Sequence, residues 1–448
     1  MFDRKMLKYL IKWKDQPDRK PLVIRGARQV GKTSIVIMFA KDHFKNLIHI
    51  NLEKTEHLRL FKKELSLKEF LTVLQIEFKQ EIIPQETLIF IDEIQNSPSL
   101  IALLRFFYEE RPDIPVIAAG SLLEAKIHKE GLSFPVGRVE FCYLYPLDFF
   151  EFLNAKGQKE LLTLLEKADF TTPPATTIHE LAEREFSEYA MIGGMPGILK
   201  EYLVNQDINK LRPIYASLLT AYTEDVNKYA PQAEAKYLSH IIDTAPLFAG
   251  NTFTYEKFGG SNFRSREMSK AFSLLEKVML LSQIRATSSC QAPLVPKEKR
   301  PKKLIYLDVG LVNYRMNILN DYLRPFELDG FYQGRIAEQL VGQNLLASYL
   351  NSPPSLLYWA RERKEGSAEV DFCLNFGSTL LGLEVKAGKT GRLKSLLIFG
   401  ENTQHPVLVR FYSGELKRES ASFHGKTYSI LSIPFYLLPR YLALTQLC

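Results

Sequence analysis

The chain has 448 residues, of which 46% are apolar and 24% charged, with a formal net charge of +7. These are ordinary values for a soluble globular protein of about three domains, and the modest positive excess permits contact with nucleic acid without demanding it. Four widely separated cysteines, Cys142, Cys290, Cys373 and Cys448, form no C-x-x-C pair, which excludes a disulfide framework and a structural zinc site. The N-terminus, Met1 to Lys5, lacks an apolar segment, and no later stretch is long and apolar enough to span a membrane. A cytoplasmic protein is expected, with no membrane partner.

In chain order, the first predicted strand is Pro21 to Arg25. It runs into Gly26-Ala27-Arg28-Gln29-Val30-Gly31-Lys32-Thr33, a full match to the phosphate-loop pattern G-x-x-x-x-G-K-[ST]. Ser34 to Ala40 then opens a helix. Such a corner aims backbone N–H groups and a positive helix end at one point. Gly26 and Gly31 let the chain turn tightly around phosphate oxygens. Lys32 reaches the β- and γ-phosphates, and the Thr33 hydroxyl holds Mg²⁺. ATP and Mg²⁺ are the expected ligands, cradled by residues 26–34.

The strand Leu47 to Leu52 is followed by a fully apolar run, Thr87 to Ile91, ending in Asp92-Glu93. Asp92 is expected to hold the metal beside Thr33, and Glu93 to polarise the attacking water. A further strand, Pro115 to Ala119, ends at Gly120-Ser121. Ser121 reads either as a polar sensor of the γ-phosphate or as a helix N-cap before Leu122, and the two roles are compatible. Strands alternating with helices imply a parallel α/β sheet.

Arg138 reads as a stabiliser of charge on the γ-phosphate, in its own or a neighbouring subunit, or as an ion-pair partner of Glu140 on a surface strand. The interrupted helix from Leu181 to Lys200 turns at Gly193-Gly194-Met195-Pro196-Gly197, either as an interhelical corner or as part of a lid. Thr252 to Ile284 reads as a winged helix-turn-helix. Tyr255 to Phe258 lies on its second helix, Gly259 to Asn262 forms the turn, and a third helix is capped by Ser265. Arg264, Arg266 and Lys270 would meet DNA phosphates, or the module serves only for packing. The basic run Lys297 to Lys303 fits a wing or a solvated loop.

The last third changes character. A helix opens at Gly334-Arg335 with Glu338, and two strands follow, carrying Asp371 and Glu384-Val385-Lys386, joined by a hairpin turn at Asn375 to Ser378. Alternation puts Glu384 and Lys386 on one face. With Asp371 beside them, and Glu338 as a third acid, the group suits metal-dependent phosphodiester cleavage, Asp371 and Glu384 binding Mg²⁺. The competing explanation is a Glu–Lys ion pair on an exposed strand face.

Together, Gly26 to Thr33, Ile91-Asp92-Glu93, Gly137-Arg138, Pro146-Leu147, Gly193 to Pro196, Tyr306 to Leu311, Gly334-Arg335 with Glu338, Glu369 to Asp371 and Glu384 to Lys386 resemble prokaryotic AAA+ family ATP-binding proteins. These carry a C-terminal domain of unknown function with a restriction-endonuclease-like fold. The resemblance spans nearly the whole chain. It implies an ATPase core over residues 1–170, a helical lid over 171–245, a winged helix over 246–330 and a nuclease-like α/β domain over 331–448. It also raises Arg138, Gly194 and Pro196 as nucleotide-sensing residues. Ala27 departs from it, standing where similar loops often have proline. The expected function is ATP hydrolysis that controls a nuclease-like, DNA-interacting end. The alternative is a signalling or scaffold ATPase whose inactive C-terminal domain binds a protein partner. A homo-oligomer follows if an arginine acts between subunits.

Overall fold

The computed structural model describes residues 2–61, 63–121, 134–135, 137–229, 232–319, 334–362, 364 and 366–446. It divides into two compact units. The first comprises Met1–Tyr145, Lys277–Met279 and Tyr349–Pro353, and the second holds the remainder.

The first unit begins with α1 (Lys5–Lys14) and then alternates strands and helices: β1 (Leu22–Arg25), α2 (Lys32–His43), β2 (Asn46–Asn51), α3 (Thr55–Leu60), α4 (Leu67–Phe78), β3 (Thr87–Asp92), α5 (Pro98–Glu110), β4 (Val116–Gly120) and β5 (Glu140–Tyr143). Among the described residues the strands form a parallel sheet in the order β2-β3-β4-β1-β5. Burial follows that order. Every residue of β3 and β4 is buried, as central strands covered on both faces require, whereas edge strand β2 alternates along its length. Two helix starts are set by local chemistry. Ser66 and Glu69 form a reciprocal capping box on α4, and Ser97 caps α5 ahead of Pro98.

The second unit opens with α6 (Phe149–Ala155), α7 (Lys159–Lys167), α8 (Thr176–Ile192), α9 (Pro196–Asn205), α10 (Arg212–Tyr229) and α11 (Gln232–Thr244). Then come β6 (Thr252–Phe253), α12 (Ser265–Lys277), β7 (Leu281–Thr287), β8 (Lys302–Tyr306), α13 (Val309–Arg315) and α14 (Arg335–Ala347). The last part comprises β9 (Leu357–Ala360), β10 (Glu369–Phe376), β11 (Thr379–Val385), α15 (Lys394–Thr403), β12 (Val407–Tyr412), β13 (Lys417–Phe423), β14 (Lys426–Pro434) and α16 (Tyr441–Gln446).

Among the described residues these strands form one sheet in the order β13-β14-β12-β11-β10-β9-β7-β8-β6. The β7–β8 hairpin, where the wing was expected, joins the C-terminal strands through parallel pairing of β7 with β9. Two helices cover alternate residues of the central hairpin. A side chain at Gly342 of α14 would meet Ile305 and Phe372, and one at Gly382 of β11 would meet Phe399 of α15. Gln339 of α14 also bonds both the N–H and the carbonyl of Tyr306, so the helix is pinned to β8 by polar contacts as well as packing.

The region preceding α12 differs from expectation. Tyr255 to Phe258 does not form a helix; a short 3-10 turn spans Phe258–Gly260, with Gly259 and Gly260 at φ +63° and +76°. Two successive left-handed glycines end any helical hydrogen-bond ladder. Tyr255 instead donates its hydroxyl to Gln283 of β7.

The corner between α8 and α9 is built around Asp308, a fully buried N-cap of α13. Its carboxylate accepts from the N–H groups of Gly194 (2.7 Å) and Gly310 (2.9 Å) and from that of Leu311. A Cβ at Gly193 would lie 2.0 Å from Asp308 Oδ1, and one at Gly194 would lie 2.1 Å from the Leu147 carbonyl oxygen. Burial pushes Asp308 up to about 6 despite these donors. With the folded value above the unfolded one, its contribution is complete below about pH 4 and is lost as pH rises through 6. The stability difference between wild type and Asp308→Asn, measured by denaturant titration, is therefore expected to shrink by on the order of 3 kcal/mol between pH 4 and pH 7.

Candidate functional site

The phosphate-loop residues lie between β1 and α2, in the first unit. Gly31 caps α2 at φ +100°, and Gln29 is also left-handed at φ +62°. Gly26 is required by space: a Cβ there would stand 2.5 Å from the Leu144 carbonyl oxygen and 3.0 Å from Val30 Cγ2. Arg4, buried and far away in sequence, ties the loop down by donating to the carbonyls of Val30 and Tyr145. Ala27 and Val30 are buried, and Arg28 reaches Glu53 at 3.7 Å. Ser34 lies in the first turn of α2.

Lys32 is buried, and its ammonium donates to the carbonyls of Gly26 (3.0 Å) and Ala27 (2.9 Å), which places it inside the loop. Burial lowers its pKa, and the nearby Glu93 and Asp92 oppose that shift. The Thr33 hydroxyl donates to Asp92 Oδ2 at 2.7 Å. This joins the loop to the end of β3, with β4 as the strand between β1 and β3. Glu93 follows in a left-handed conformation, φ +53°. Its Oε2 accepts from Gln95 Nε2 (2.5 Å) and from the Ser121 hydroxyl at the end of β4 (3.4 Å). Burial raises the Glu93 pKa, against the opposing charge of Lys32. The structure thus brings together Lys32, Thr33, Asp92, Glu93 and Ser121. The alternative N-cap role of Ser121 involves Leu122 to Glu124, which lie outside the described residues.

Sequence reasoning missed Arg4, Gln95 and His49. His49 of β2 stacks on Phe90 and brings Nε2 to 3.6 Å from Asp92 Oδ2. Only the two-residue spacing of Gln95 from Glu93 is a local signal. Arg138 pairs with Glu109 of α5 at 3.1 Å, a contact the surface-strand reading with Glu140 did not include. Gly194 and Pro196 lie in the second unit, where Gly194 exchanges hydrogen bonds with Asp308 and Leu147.

The adjacent oxygens of Thr33 and Asp92, beside a buried ammonium, fit Mg²⁺ bound together with nucleotide phosphates, since this ion uses few protein ligands. The C-terminal acids form a different cluster within the second unit. Lys303, expected in a wing or solvated loop, is 1% exposed in β8, with its ammonium 2.5 Å from Glu338 and 3.1 Å from Asp371. Asp371 Oδ2 accepts from the Val385 N–H at 2.8 Å. Lys386 is 2.6 Å from Glu384 Oε1, while the buried Glu384 Oε2 has no hydrogen-bond partner. The ion pair of the competing explanation is thus present, but Glu384 is buried rather than exposed. Among the described residues no group of three His, Cys, Asp or Glu side chains is placed to hold a metal ion.

Burial, followed by the charge of Asp371, holds Glu338 and Glu384 well above the ordinary carboxylate range. Burial would lower Lys303, but Asp371 and Glu338 more than reverse it. Both carboxylate shifts disfavour added negative charge on these acids, while the paired acids favour the charged form of the ammonium.

Crowding at Gly26 yields a direct check on the loop. Gly26→Ala must displace either the loop or the Leu144 carbonyl, an overpacking cost of about 1–3 kcal/mol. ATP affinity, measured by fluorescence titration, is expected to fall by roughly tenfold or more, since each 1.4 kcal/mol is tenfold.

Residues 18–153 match the family described as an AAA domain. Residues 183–322 match a domain of unknown function, DUF8612, and residues 333–436 match another, DUF4143. No curated protein matches the chain. Solved structures similar to it include a Walker-type ATPase of Pyrococcus abyssi, at 17% identity and TM-score 0.42, covering 70% of this chain and 96% of that one. The Thermotoga maritima RuvB Holliday junction branch migration motor shares 16% identity at TM-score 0.29, over 66% and 93% of the two chains. The Aeropyrum pernix ORC1 protein, solved in complex with DNA, shares 13% identity at TM-score 0.30, over 71% and 91%. These likenesses are loose and carry no argument; the similarity that bears on the loop is the family match of residues 18–153. No helix among the described residues is long and apolar enough to cross a membrane. The match of residues 18–153 to the AAA domain family and the geometry of the phosphate loop agree on a nucleotide-binding segment of that type.

Proposed function

We propose that the protein binds and hydrolyses ATP with Mg²⁺, and that its nucleotide state controls the C-terminal part of the chain. The observation carrying this reading is the 2.7 Å contact of Thr33 with Asp92, with Glu93 next in sequence and turned toward Gln95 and Ser121. Mg²⁺, held by Thr33 and Asp92, would offset charge on the β- and γ-phosphates. Lys32 binds those phosphates, the loop N–H groups orient them, and Glu93 accepts a proton from the attacking water. Ser121 links Glu93 to the γ-phosphate position. Arg138 serves as charge stabiliser once it leaves Glu109, in its own subunit or in a neighbouring one of a homo-oligomer. The corner at Gly194 and Pro196 belongs to a helical lid. The working division remains core 1–170, lid 171–245, winged helix 246–330 and nuclease-like domain 331–448, in a cytoplasmic protein.

For the C-terminal part, two roles follow from the sequence: nuclease-like action on DNA by Glu338, Asp371, Glu384 and Lys386, or binding of a protein partner without catalysis. The lysine-paired acids favour the second.

Phosphate-release and nucleotide-binding assays test the ATPase. Lys32→Ala is expected to abolish binding or turnover. Glu93→Gln is expected to bind ATP normally with kcat lowered at least about a hundredfold, the usual scale of a lost general base. Gln95→Leu leaves affinity unchanged and lowers kcat roughly tenfold, because it removes a hydrogen bond to a charged group. Unchanged turnover in all three variants would reject the assignment.

A further inference from the structure

The chemistry around Lys303 is that of an ammonium site. Its Nζ lies 2.5 Å from Glu338 and 3.1 Å from Asp371, and also bonds the Asp371 carbonyl oxygen at 3.2 Å. The rings of Phe372 and Tyr358 stand 5.1 and 5.7 Å from the same nitrogen. Aromatic faces attract an ammonium but offer no ligand to a hard divalent ion, which takes oxygens at about 2.0–2.1 Å. The remaining acid groups are mostly engaged: Asp371 Oδ2 by the Val385 N–H, and Glu384 Oε1 by Lys386. The buried, unpartnered Glu384 Oε2 is the acceptor left over.

We infer that Lys303 is the resident cation of this cluster, filling the space between Glu338 and Asp371, so that the folded protein excludes Mg²⁺ and Mn²⁺ from Glu338, Asp371 and Glu384. Lys303 comes from β8, on the strand pair that precedes the acid-bearing strands in sequence, and its side chain is 2% exposed. An incoming metal cannot simply displace it into water. The cluster is then an internal ion-pair lock that joins β8, α14 and β10. This inference deepens the reading of the C-terminal part and does not depend on ATP turnover.

The test uses the full chain carrying Asp92→Asn, so that the phosphate-loop site loses its metal-binding carboxylate. Mn²⁺ is titrated without nucleotide and followed by electron paramagnetic resonance. The chain with Lys303 is expected to take up no Mn²⁺ at this cluster. Lys303→Met is expected to take up one equivalent, at least about tenfold more tightly, and to lose it when Asp371→Asn is added. Because Lys303→Met leaves buried carboxylates uncompensated, the pair Lys303→Met with Glu338→Gln is carried alongside, with folding checked by circular dichroism. Mn²⁺ should raise the Tm of the Lys303→Met chains and leave that of the Lys303 chain unmoved. Mn²⁺ bound by the Lys303 chain and released by Asp371→Asn would overturn the inference. So would folded Lys303→Met variants that take up no metal.

Discussion

The nucleotide site depends on one constraint, the position of β4 between β1 and β3 in a parallel sheet. Parallel strands all end at the same edge, where ligands of open α/β sheets bind. Strands spaced about 4.8 Å apart leave the end of β3 within reach of the first turn of the helix that follows β1. Thr33 and Asp92 close that gap, and Ser121, at the end of the intervening strand, comes to Glu93. Burial on both faces makes β3 and β4 rigid supports, so the polar groups at their ends are held by apolar packing beneath them.

The two acidic groups of this chain are handled in opposite ways. In the first unit Asp92 meets the Thr33 hydroxyl, the Glu93 N–H and, at 3.6 Å, the His49 imidazole, which leaves it able to serve a cation that arrives with nucleotide. In the second unit the acids are enclosed with lysines of their own. A buried carboxylate is tolerated only when paired, hydrogen-bonded or protonated, and this cluster pairs and hydrogen-bonds its acids. Asp308 shows the hydrogen-bonded solution alone, taking backbone donors from two segments and so locking the α8–α9 corner to α13.

Much of the first site was legible because its chemistry is local. Eight consecutive residues define the loop, and Asp92-Glu93 end an apolar run of the sort a strand buried on both faces shows. Arg138 was read against Glu140 close by in sequence, and its contact with Glu109 of α5 has no local signal. Arg4 and His49 carry no motif at all; each becomes relevant through contacts made by distant segments. The helix expected at Tyr255 to Phe258 gives way to a 3-10 turn because Lys257 as well as Gly259 and Gly260 takes a left-handed conformation.

The sequence by itself determined the phosphate loop, its partner carboxylates, the alternation of strands and helices, and the placement of Glu384 and Lys386 on one strand face. Those follow from hydrogen-bonding geometry and periodicities of a few residues. Tertiary structure decided which cation each carboxylate meets. Lys303 lies 35 residues from Glu338 and 68 from Asp371 in the chain. It reaches them because β7 pairs with β9 and carries β8 into the C-terminal sheet. A run of basic residues looks like a solvated loop in one dimension. Only the sheet order buries one of them among acids.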